Sequence, residues 1–480
     1  MFTLEALVAL LPLLIVCATV VVVMLAIAFK RNHSLVAGIS IGGLILALLG
    51  VFAAESVGPQ AVTEIMMVDR ISWFYSILII ISALTSSIFS YSYLEEDPIN
   101  REEIYLLVLM ALAGGMVLIS SNHAAMFFLG LEILSVSVYG ITAYLFTNKL
   151  ALEAGIKYLV LSATASATLL FGFALLYSQS GELGFSGIGA YLAIYPSDQV
   201  ALVGLTMVLI AIMFKLSLAP FHFWVPDVYQ GSSAPAGAFI ATEAKISVFV
   251  VLLRLVQSIP LLQSPGLALL LTIVAIASII VGNLLALQQN NIKRLLAYSS
   301  VAHFGYLLIV LTVVPGPLVE EAVGMYLLTY MITTLTAFGV VTMASSRHEE
   351  SDTCTITEYC GLFWSRPVIS VVLSICMLSL AGIPLTAGFI GKFYVIAVGI
   401  NSQLWVALGA LLVGSAIGIF YYLRIMVNLY MKVPEAAREI IAPTWKYSTS
   451  GITLLVLAAS IILLGIYPHL ALSWLALESF

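Results

Sequence analysis

The segment AIMFKLSLAPFHFWVPDVYQG, residues 211–231, places a lysine and a proline inside one long apolar run. Lys215 is flanked by apolar residues, and a charge at the centre of a bilayer costs at least ~2.5–3.5 kcal/mol on insertion scales. Pro220 cannot join a regular helical ladder, so carbonyl groups near residue 216 lose their donors. Backbone freed at membrane depth must face protein or water. The segment therefore predicts a broken membrane helix with a hydrated pocket beside a buried amine.

The composition of the whole chain is that of a membrane protein. Of its 480 residues, 62% are hydrophobic and only 9% are charged, whereas a soluble domain has about 25% charged residues. The net charge of −6 carries little information, and no basic patch suggests nucleic acid. The stretch from Ala6 to Phe29 follows an acidic start and is full length, so it is interpreted as a first span rather than a signal peptide.

Fourteen hydrophobic runs are candidate membrane spans. They cover residues 6–29, 35–54, 71–94, 104–121, 124–147, 152–178, 200–229, 233–256, 266–288, 292–314, 321–345, 367–400, 404–431 and 449–472. The seventh and twelfth are too long for one straight crossing and contain helix breakers, Pro220 in one and Gly382 with Pro384 in the other. We predict an all-α polytopic membrane protein with about fourteen transmembrane helices.

The lysines and arginines set the predicted orientation. When the loops are assigned alternately to the two sides, Arg70 stands alone on one side. Eleven stand on the other: Lys30, Arg31, Arg101, Lys149, Lys293, Arg294, Arg347, Arg366, Lys432, Arg438 and Lys446. This bias predicts that both termini lie outside the cytoplasm.

A weak internal repeat accompanies the spans. EAGIKYL at residues 153–159 resembles EAVGMYL at 321–327, and the tripeptide SLA at 217–219 recurs at 379–381. Each pair joins spans five apart, so the two copies cross the membrane in opposite directions. This pattern predicts an inverted repeat, which is typical of transporters.

Charged residues inside apolar spans are the candidate functional residues. Five stand out: Glu132, Lys157, Lys215, Lys245 and Lys392. An amine held away from water gives up its proton more readily, and a movable carboxylate partner opposes that release, so such a pair could hold and pass a proton. The alternative for Lys215 and Lys392 is a side chain that snorkels to the interface. For Lys245 it is a structural ion pair.

Two of these candidates involve a possible pairing between an amine and a carboxylate group. Glu132 needs a cation or it becomes protonated, and Lys215 is its candidate partner. The alternative is a hydrogen-bonded, protonated acid. Lys157 follows Glu153 at i, i+4, so it is either a modulator that draws Glu132 away from Lys215 or half of an intrahelical ion pair.

Other polar residues in the spans leave their roles open. His303 is either a proton relay or a packed, hydrogen-bonded side chain. His222 could line a hydrated channel, and Tyr326 and Tyr330 are more often core than relay. Glu243 lies two residues from Lys245, which on a helix is a different face. Arg254 and Arg424 lie nearer the span ends.

We find no motif for a cofactor in this sequence. It has no G-x-G-x-x-G segment, no P-loop, no metal-ligand cluster and no set of iron–sulfur cysteines. The four cysteines include Cys354 and Cys360 in a polar loop, a weak zinc or disulfide signal that is better interpreted as reduced thiols. The energy for transport would then come from an ion gradient or from partner subunits.

The segments FKLSLAPFHFWVPDVYQG, NIKRLLAYSSVAHFGYL, GLFWSRP and MLSLAGIPLTAGFIGKFYV resemble the antiporter-like membrane subunits of respiratory complex I. The similarity extends over essentially the whole chain. It implies fourteen helices, with two inverted five-helix units at residues 104–256 and 266–431, a three-helix segment at 1–103 and a last helix within 432–480. Lys392 stands where a sister subunit has glutamate, and this difference favours one member of the family.

The resemblance also implies roles for individual residues. Glu132 is similar to the essential glutamate of the fifth helix, and Lys215 to the central lysine of the seventh. Lys245 is similar to the connecting lysine of the eighth and Lys392 to the terminal lysine of the twelfth. Glu243 departs from the pattern, because a small or uncharged residue is expected there.

The sequence therefore predicts a proton-translocating membrane-arm subunit of a NADH:quinone oxidoreductase, with no redox centre of its own. The resemblance implies a bacterial inner membrane, neighbouring membrane-arm subunits as partners, and NADH, FMN, iron–sulfur clusters and quinone in those partners. The alternatives are a subunit of a multisubunit monovalent cation/proton antiporter, a passive spacer between membrane subunits, and a stand-alone solute transporter.

Overall fold

The computed structural model describes residues 3–95, 102–345, 352, 354–432, 448–469 and 471–472. Helices account for most of them. The first seven are α1 (Leu4–Ala9), α2 (Leu11–Phe29), α3 (His33–Glu55), α4 (Arg70–Leu94), α5 (Glu103–Ile119), α6 (Ala124–Thr142) and α7 (Lys149–Ser180). The next five are α8 (Phe185–Ile194), α9 (Gln199–Lys215), α10 (Trp224–Gly231), α11 (Ala234–Phe239) and α12 (Lys245–Ser258). A π-helical turn, Ile240–Ala244, joins α11 to α12.

The C-terminal half contains the remaining eight α-helices of the described residues. These are α13 (Pro265–Leu287), α14 (Ile292–Leu311), α15 (Pro317–Ala344), α16 (Leu362–Ser365), α17 (Pro367–Ala381), α18 (Ala387–Asn401), α19 (Trp405–Tyr430) and α20 (Thr449–Ile466). Two short 3₁₀ turns accompany them: Pro260–Gln263 lies between α12 and α13, and Ile356–Tyr359 lies between α15 and α16.

Every one of the fourteen predicted apolar runs contains helix, which confirms the all-α membrane class. Ten helices in the described part of the chain are long and apolar enough to cross a membrane, judged by length and composition. The other predicted crossings are shorter or interrupted helices, so the number fourteen and the two five-helix units stay predictions. Four of the residues used for the orientation lie outside the described residues: Arg101, Arg347, Arg438 and Lys446.

The sequence analysis did not predict two small elements. Strands β1 (Gln60–Thr63) and β2 (Met66–Val68) form an antiparallel hairpin in the linker before α4. The short helix α8 lies in the linker between α7 and α9. Both are too short to produce a clear hydrophobic period, so a search for 20-residue runs passes over them.

The first predicted break divides the seventh run into α9 and α10. Helix α9 ends at Lys215, and Ser217 adopts a left-handed backbone conformation with φ of +59°. The chain then passes Pro220 without helical structure until α10 begins at Trp224. Because the helix stops at Lys215, the partial negative charge of this helix end lies beside the lysine.

The second predicted break divides the twelfth run into α17 and α18. Gly382 follows the last helical residue, Ala381, with φ of +83°, a conformation that favours glycine. A side chain there would also collide with its neighbour, because a Cβ atom on Gly382 would lie 2.7 Å from Cδ of Lys392. Glycine is thus required at this position both for the turn and for the space that Lys392 occupies.

The two broken helices surround a deeply buried centre. In α14, 89% of the residues in the apolar window are buried, against 22% in α2. Helix α10 packs against α7 and α14, while α18 packs against α14, α15 and α20. Large apolar side chains of α2, α3, α7 and α19 face outward, as expected for surfaces that lie against lipid or protein. The charged residues predicted to be functional therefore fall into two groups: those that point to this centre and those that do not.

Candidate functional site

Lys215 is the last residue of α9, where the first break begins, and its side chain is buried. Its Nζ donates hydrogen bonds to the hydroxyl oxygens of Ser135 on α6, at 2.6 Å, and Ser162 on α7, at 2.5 Å. The Tyr139 hydroxyl in turn donates to Ser162, at 2.7 Å. Two hydroxyl groups thus contact the amine and a third supports one of them, so the snorkelling alternative is wrong for Lys215.

Glu132 lies on α6, three residues before Ser135 and so on a similar face of the helix. It is close enough for its charge to act on Lys215, but no nitrogen–oxygen distance within 4.0 Å joins the two side chains. Its Oε1 atom is buried without a hydrogen-bond partner. The direct Glu132–Lys215 ion pair that the sequence suggested is therefore not formed in this structure, because serine hydroxyls occupy the positions around the amine.

Lys245 begins α12, and its side chain is only 1% exposed. Its Nζ donates to the Ser217 hydroxyl at 2.5 Å and to the Ser300 hydroxyl at 2.7 Å. The rings of Tyr229 and Phe304 lie 5.6 Å and 5.1 Å from the same atom, within cation–π range. No ion pair of the described residues includes Lys245, so the structural ion pair considered for it is wrong.

His303 continues the row from Lys245. It lies one turn after Ser300 on α14, and its Nδ1 atom is 2.7 Å from the hydroxyl of Tyr326. Its Nε2 atom is 3.3 Å from the hydroxyl of Tyr422. A small cavity opens beside it, with room for about one water molecule. The cavity is lined by His303, Tyr326, Thr329, Tyr330, Thr333, Ser379, Leu380 and Gly388.

Lys392 contacts Leu380, one of the residues that line that cavity. Its Nζ donates to the backbone carbonyl oxygens of Leu380, at 3.1 Å, and Ala381, at 2.8 Å. These carbonyls belong to the last turn of α17, which the second break leaves without helical donors. The ring of Tyr306 lies 5.3 Å from the amine. The side chain is 7% exposed, so the snorkelling alternative is wrong for Lys392 as well.

Lys157 stands apart from this row. Its side chain is 44% exposed and forms ion pairs with Glu153, at 2.6 Å, and Asp227, at 2.8 Å. Asp227 also pairs with Arg294 at 2.7 Å, so this surface network fastens α10 to α7 and α14. The intrahelical pair is therefore formed, and the structure has no contact between Lys157 and Glu132 that would support a modulating role.

Comparisons with known proteins identify the family of this chain. Residues 121–418 match the family model described as "NADH:quinone oxidoreductase/Mrp antiporter, TM". The chain belongs to the NADH:quinone oxidoreductase/Mrp antiporter family. NADH-quinone oxidoreductase subunit N of Ectopseudomonas mendocina (strain ymp) is 53% identical to it over 473 residues, 98% of this chain and 95% of that protein. The resemblance seen in the sequence is thus confirmed.

Solved structures of the NADH:quinone oxidoreductase/Mrp antiporter fold agree with this assignment. A chain of respiratory complex I from Thermus thermophilus is 32% identical, with a TM-score of 0.83 and coverage of 98% of this chain and 100% of that one. A chain of the Mrp complex from Dietzia sp. DQ12-45-1b has the same TM-score but only 20% identity, with coverage of 99% and 97%. The second likeness shows the fold alone.

The remaining charged residues of this family member make no direct hydrogen bond to the amines of the lysine row. Glu243 faces Gly115 of α5, so it does lie on a different helix face from Lys245, as predicted. Arg254 forms a buried ion pair with Asp69 at 2.6 Å. Arg424 donates to backbone carbonyl oxygens at the end of α13. The imidazole of His222 is buried, and neither of its nitrogens has a hydrogen-bond partner.

The cysteines of this family member give no sign of a metal centre. No group of three or more His, Cys, Asp or Glu side chains that could hold a metal occurs among the residues that the structure describes. All four cysteines are free thiols. Burial raises the pKa of the Cys354 thiol to about 11, so at neutral pH this group is almost entirely protonated and a poor nucleophile.

The sequence analysis missed the hydroxyl groups that hold the amines. Ser135, Ser162, Ser217 and Ser300 each accept a hydrogen bond from a buried lysine of this row. Two of them carry a sequence signal, since Ser135 is three residues from Glu132 and Ser300 three residues from His303. Ser162 carries none, because serine is common in membrane helices and only the packing of α7 on α9 brings it to Lys215.

Proposed function

We propose that this chain is a subunit N-type membrane-arm subunit of a NADH:quinone oxidoreductase, and that it moves protons along its buried lysine row. The proposal rests on the kind of group that accepts hydrogen bonds from the three buried lysines. Lys215, Lys245 and Lys392 are all buried, and every hydrogen-bond partner of their amines is a neutral oxygen. None of the three forms an ion pair among the described residues.

Neutral oxygens suit a group that must gain and lose a proton. A carboxylate partner favours the ammonium form strongly, and the neutral amine would leave a buried negative charge. A serine hydroxyl can accept from an ammonium or donate to a neutral amine, so Lys215 and Lys245 keep their hydrogen bonds in both states. Lys392 can donate to two carbonyl oxygens in either state, because a neutral amine still has two N–H groups.

The polar contacts of the lysines follow one another in a row between the two helix breaks. Ser217, two residues after Lys215, accepts from Lys245. Lys245 also contacts Ser300, one turn before His303. The cavity beside His303 reaches Leu380, whose carbonyl oxygen accepts from Lys392. A proton would pass from Lys215 to Lys245, then by His303 and water in the cavity to Lys392, with Glu132 tuning the first lysine.

The family resemblance supplies the setting of the proposal. The chain would lie in a bacterial inner membrane with both termini on the periplasmic side, in contact with neighbouring antiporter-like and small membrane subunits. It would bind no cofactor itself, and NADH, FMN, iron–sulfur clusters and quinone would belong to partner subunits. Quinone reduction in those partners would drive the proton through coupled charge shifts.

The rival functions differ in what each would require. A monovalent cation/proton antiporter shares the fold, but the Mrp chain is far less similar in sequence than the subunit N relative. A passive spacer would have no need for three buried amines without carboxylate partners. A solute transporter would need a substrate pocket, whereas the cavity on the row has room for about one water molecule.

The test is proton pumping by the intact complex in vesicles, with Lys215→Met and Lys392→Met made separately. The matched control is Lys149→Met, at an exposed position of α7 outside the row. After assembly is confirmed, both row variants are expected to lose most NADH-driven proton uptake, while the control keeps it. A Lys215→Met complex that pumps at the normal proton-to-electron ratio would overturn the proposal. Proton uptake driven by a sodium gradient without NADH would favour the antiporter.

A further inference from the structure

Glu243 is a fully buried carboxyl group that the proton path does not use. It lies in the π-helical turn Ile240–Ala244, immediately before α12, and its exposed fraction is 0%. It points toward Gly115 of α5, where a Cβ atom would lie 2.1 Å from its Oε1 atom. The absence of a side chain at Gly115 makes the space that this carboxyl occupies.

The surroundings of Glu243 do not support a permanent negative charge. Its Oε1 atom accepts a hydrogen bond from the Ser247 hydroxyl at 3.3 Å, and its Oε2 atom has no hydrogen-bond partner. No lysine, arginine or histidine nitrogen of the described residues lies within 4.0 Å of it. An unpaired carboxylate in such a place is far less stable than the neutral acid. The geometry therefore favours a bound proton on the unpartnered oxygen.

The elements packed around the turn offer few titratable neighbours. On the adjacent helix α4, Ser82 hydrogen-bonds with Thr242, next to Glu243. Tyr158 of α7 is close enough for the charges of both Glu243 and Glu132 to act on its hydroxyl. The nearest basic group along the chain is Lys245, two residues on and on the opposite face of the same helical segment. A change of charge on Lys245 thus acts on Glu243 through one helix width of protein.

We propose that Glu243 is a second proton-holding group, whose proton affinity is linked to the charge of Lys245 across their shared helix. When Lys245 becomes an ammonium, the proton affinity of Glu243 falls, and a larger share of the acid ionises at a given pH by transfer of its proton to bulk water. When Lys245 is neutral, Glu243 keeps the proton. By linkage the effect is reciprocal, so a carboxylate at Glu243 makes Lys245 easier to protonate. This inference rests on the proposed function, to which it adds a proton store beside the central lysine.

The size of the linkage can be bounded. Two unit charges about 10 Å apart in an environment with an effective dielectric constant of about 20 change each other's proton affinity about tenfold. The midpoint pH of Glu243 ionisation should therefore differ by about one pH unit between complexes in which position 245 is permanently charged and permanently neutral. Lys245→Arg supplies the fixed charge, and Lys245→Met removes it.

Infrared difference spectroscopy of the purified complex measures this directly. The wild-type spectrum minus that of Glu243→Gln isolates the C=O stretch of the protonated acid, which has no counterpart in a carboxylate. We expect this band at neutral pH, with a small shift in D₂O. In Lys245→Arg it should disappear at a midpoint about one pH unit lower than in Lys245→Met. If Glu243→Gln fails to assemble, Glu243→Asp keeps the acid and moves the band.

Two results would overturn the inference. One is the lack of an acid band from Glu243 at neutral pH, which would show that the group is ionised. The other is the same midpoint in the arginine and methionine variants, which would show that the two groups are not linked. Both are distinct from failure of the proposed function, which Lys215→Met tests by proton pumping without any reference to Glu243.

Discussion

Lys245 donates a hydrogen bond of 2.5 Å to Ser217, and Ser217 lies in the break of another helix, two residues after Lys215. The contact joins the middle of the eighth predicted span to the point where the seventh is interrupted. In the sequence the helix break after Lys215 and the buried Lys245 are separate features. In the structure Ser217 lies in that break and accepts a hydrogen bond from Lys245. The first prediction concerns this serine.

Removal of the Ser217 hydroxyl should interrupt the path between the first two lysines. Ser217→Ala keeps the Cβ atom in the left-handed backbone conformation, whereas Ser217→Gly relaxes that conformation. Both variants leave one N–H of Lys245 without its acceptor, at a cost of about 1–3 kcal/mol, so the pumping rate should fall by between about fivefold and about 150-fold in each. The rate is measured by proton uptake into vesicles. A normal rate in Ser217→Gly with a defect in Ser217→Ala would show that only backbone geometry matters.

A side chain at Gly382 should displace Lys392. The added Cβ atom would meet Cδ of the lysine, and the positive φ adds about 1–2 kcal/mol of strain for any residue other than glycine. Gly382→Ala should therefore lower the thermal stability of the subunit and reduce proton pumping together. Gly409→Ala on α19 is the control, since nothing lies within 4 Å of its added Cβ atom. Unchanged pumping in Gly382→Ala would mean that the carbonyl contacts of Lys392 are dispensable.

Lys157→Met should change proton pumping little. The lysine is 44% exposed and pairs with Glu153 and Asp227, and exposed pairs contribute about 0–1 kcal/mol. Asp227 retains Arg294, so α10 stays fastened to α14. The measurement is the vesicle assay with Lys215→Met in parallel. A loss as large as that of Lys215→Met would restore the modulating role that the sequence left open.

Cys354 should react slowly with alkylating reagents at neutral pH. Burial raises the pKa of its thiol to about 11, and only the thiolate reacts. At pH 8 about one thiol in a thousand is ionised, so the rate should rise about tenfold per pH unit and level off above pH 11. Mass spectrometry of the alkylated peptide follows the reaction in the intact complex. A rate at pH 7 equal to that of a free thiol would contradict the burial seen here.

The main parts of the site could be predicted because each leaves a strong local signal. A lysine inside an apolar run is costly, and a proline or glycine there interrupts the helix, so Lys215, Lys392 and both breaks are visible in the sequence. Lys157 was harder to place. Helix α7 has 32 residues, longer than a bilayer requires, so a residue eight positions from its start lies near the surface although it stands in an apolar run.

The partners of the lysines could not be predicted for a different reason. Ser135 and Ser162 come from two helices that meet only in the folded protein, and nothing in their own neighbourhoods distinguishes them from other serines. Glu132 was the more obvious partner for Lys215, because opposite charges attract at any distance. The choice between a carboxylate and two hydroxyls depends on how the helices are positioned against each other, which no sequence period encodes.

The neutral oxygens around the amines have an electrical consequence. Since none of the three amines is directly paired with a counter-ion, an occupied lysine repels a second proton from its neighbours. The row would then admit its cargo one at a time and sense the voltage across the membrane, at about 2.3 kcal/mol per charge for each 100 mV crossed. The row would therefore store charge as its lysines are protonated one after another, and each charged lysine would oppose protonation of the next.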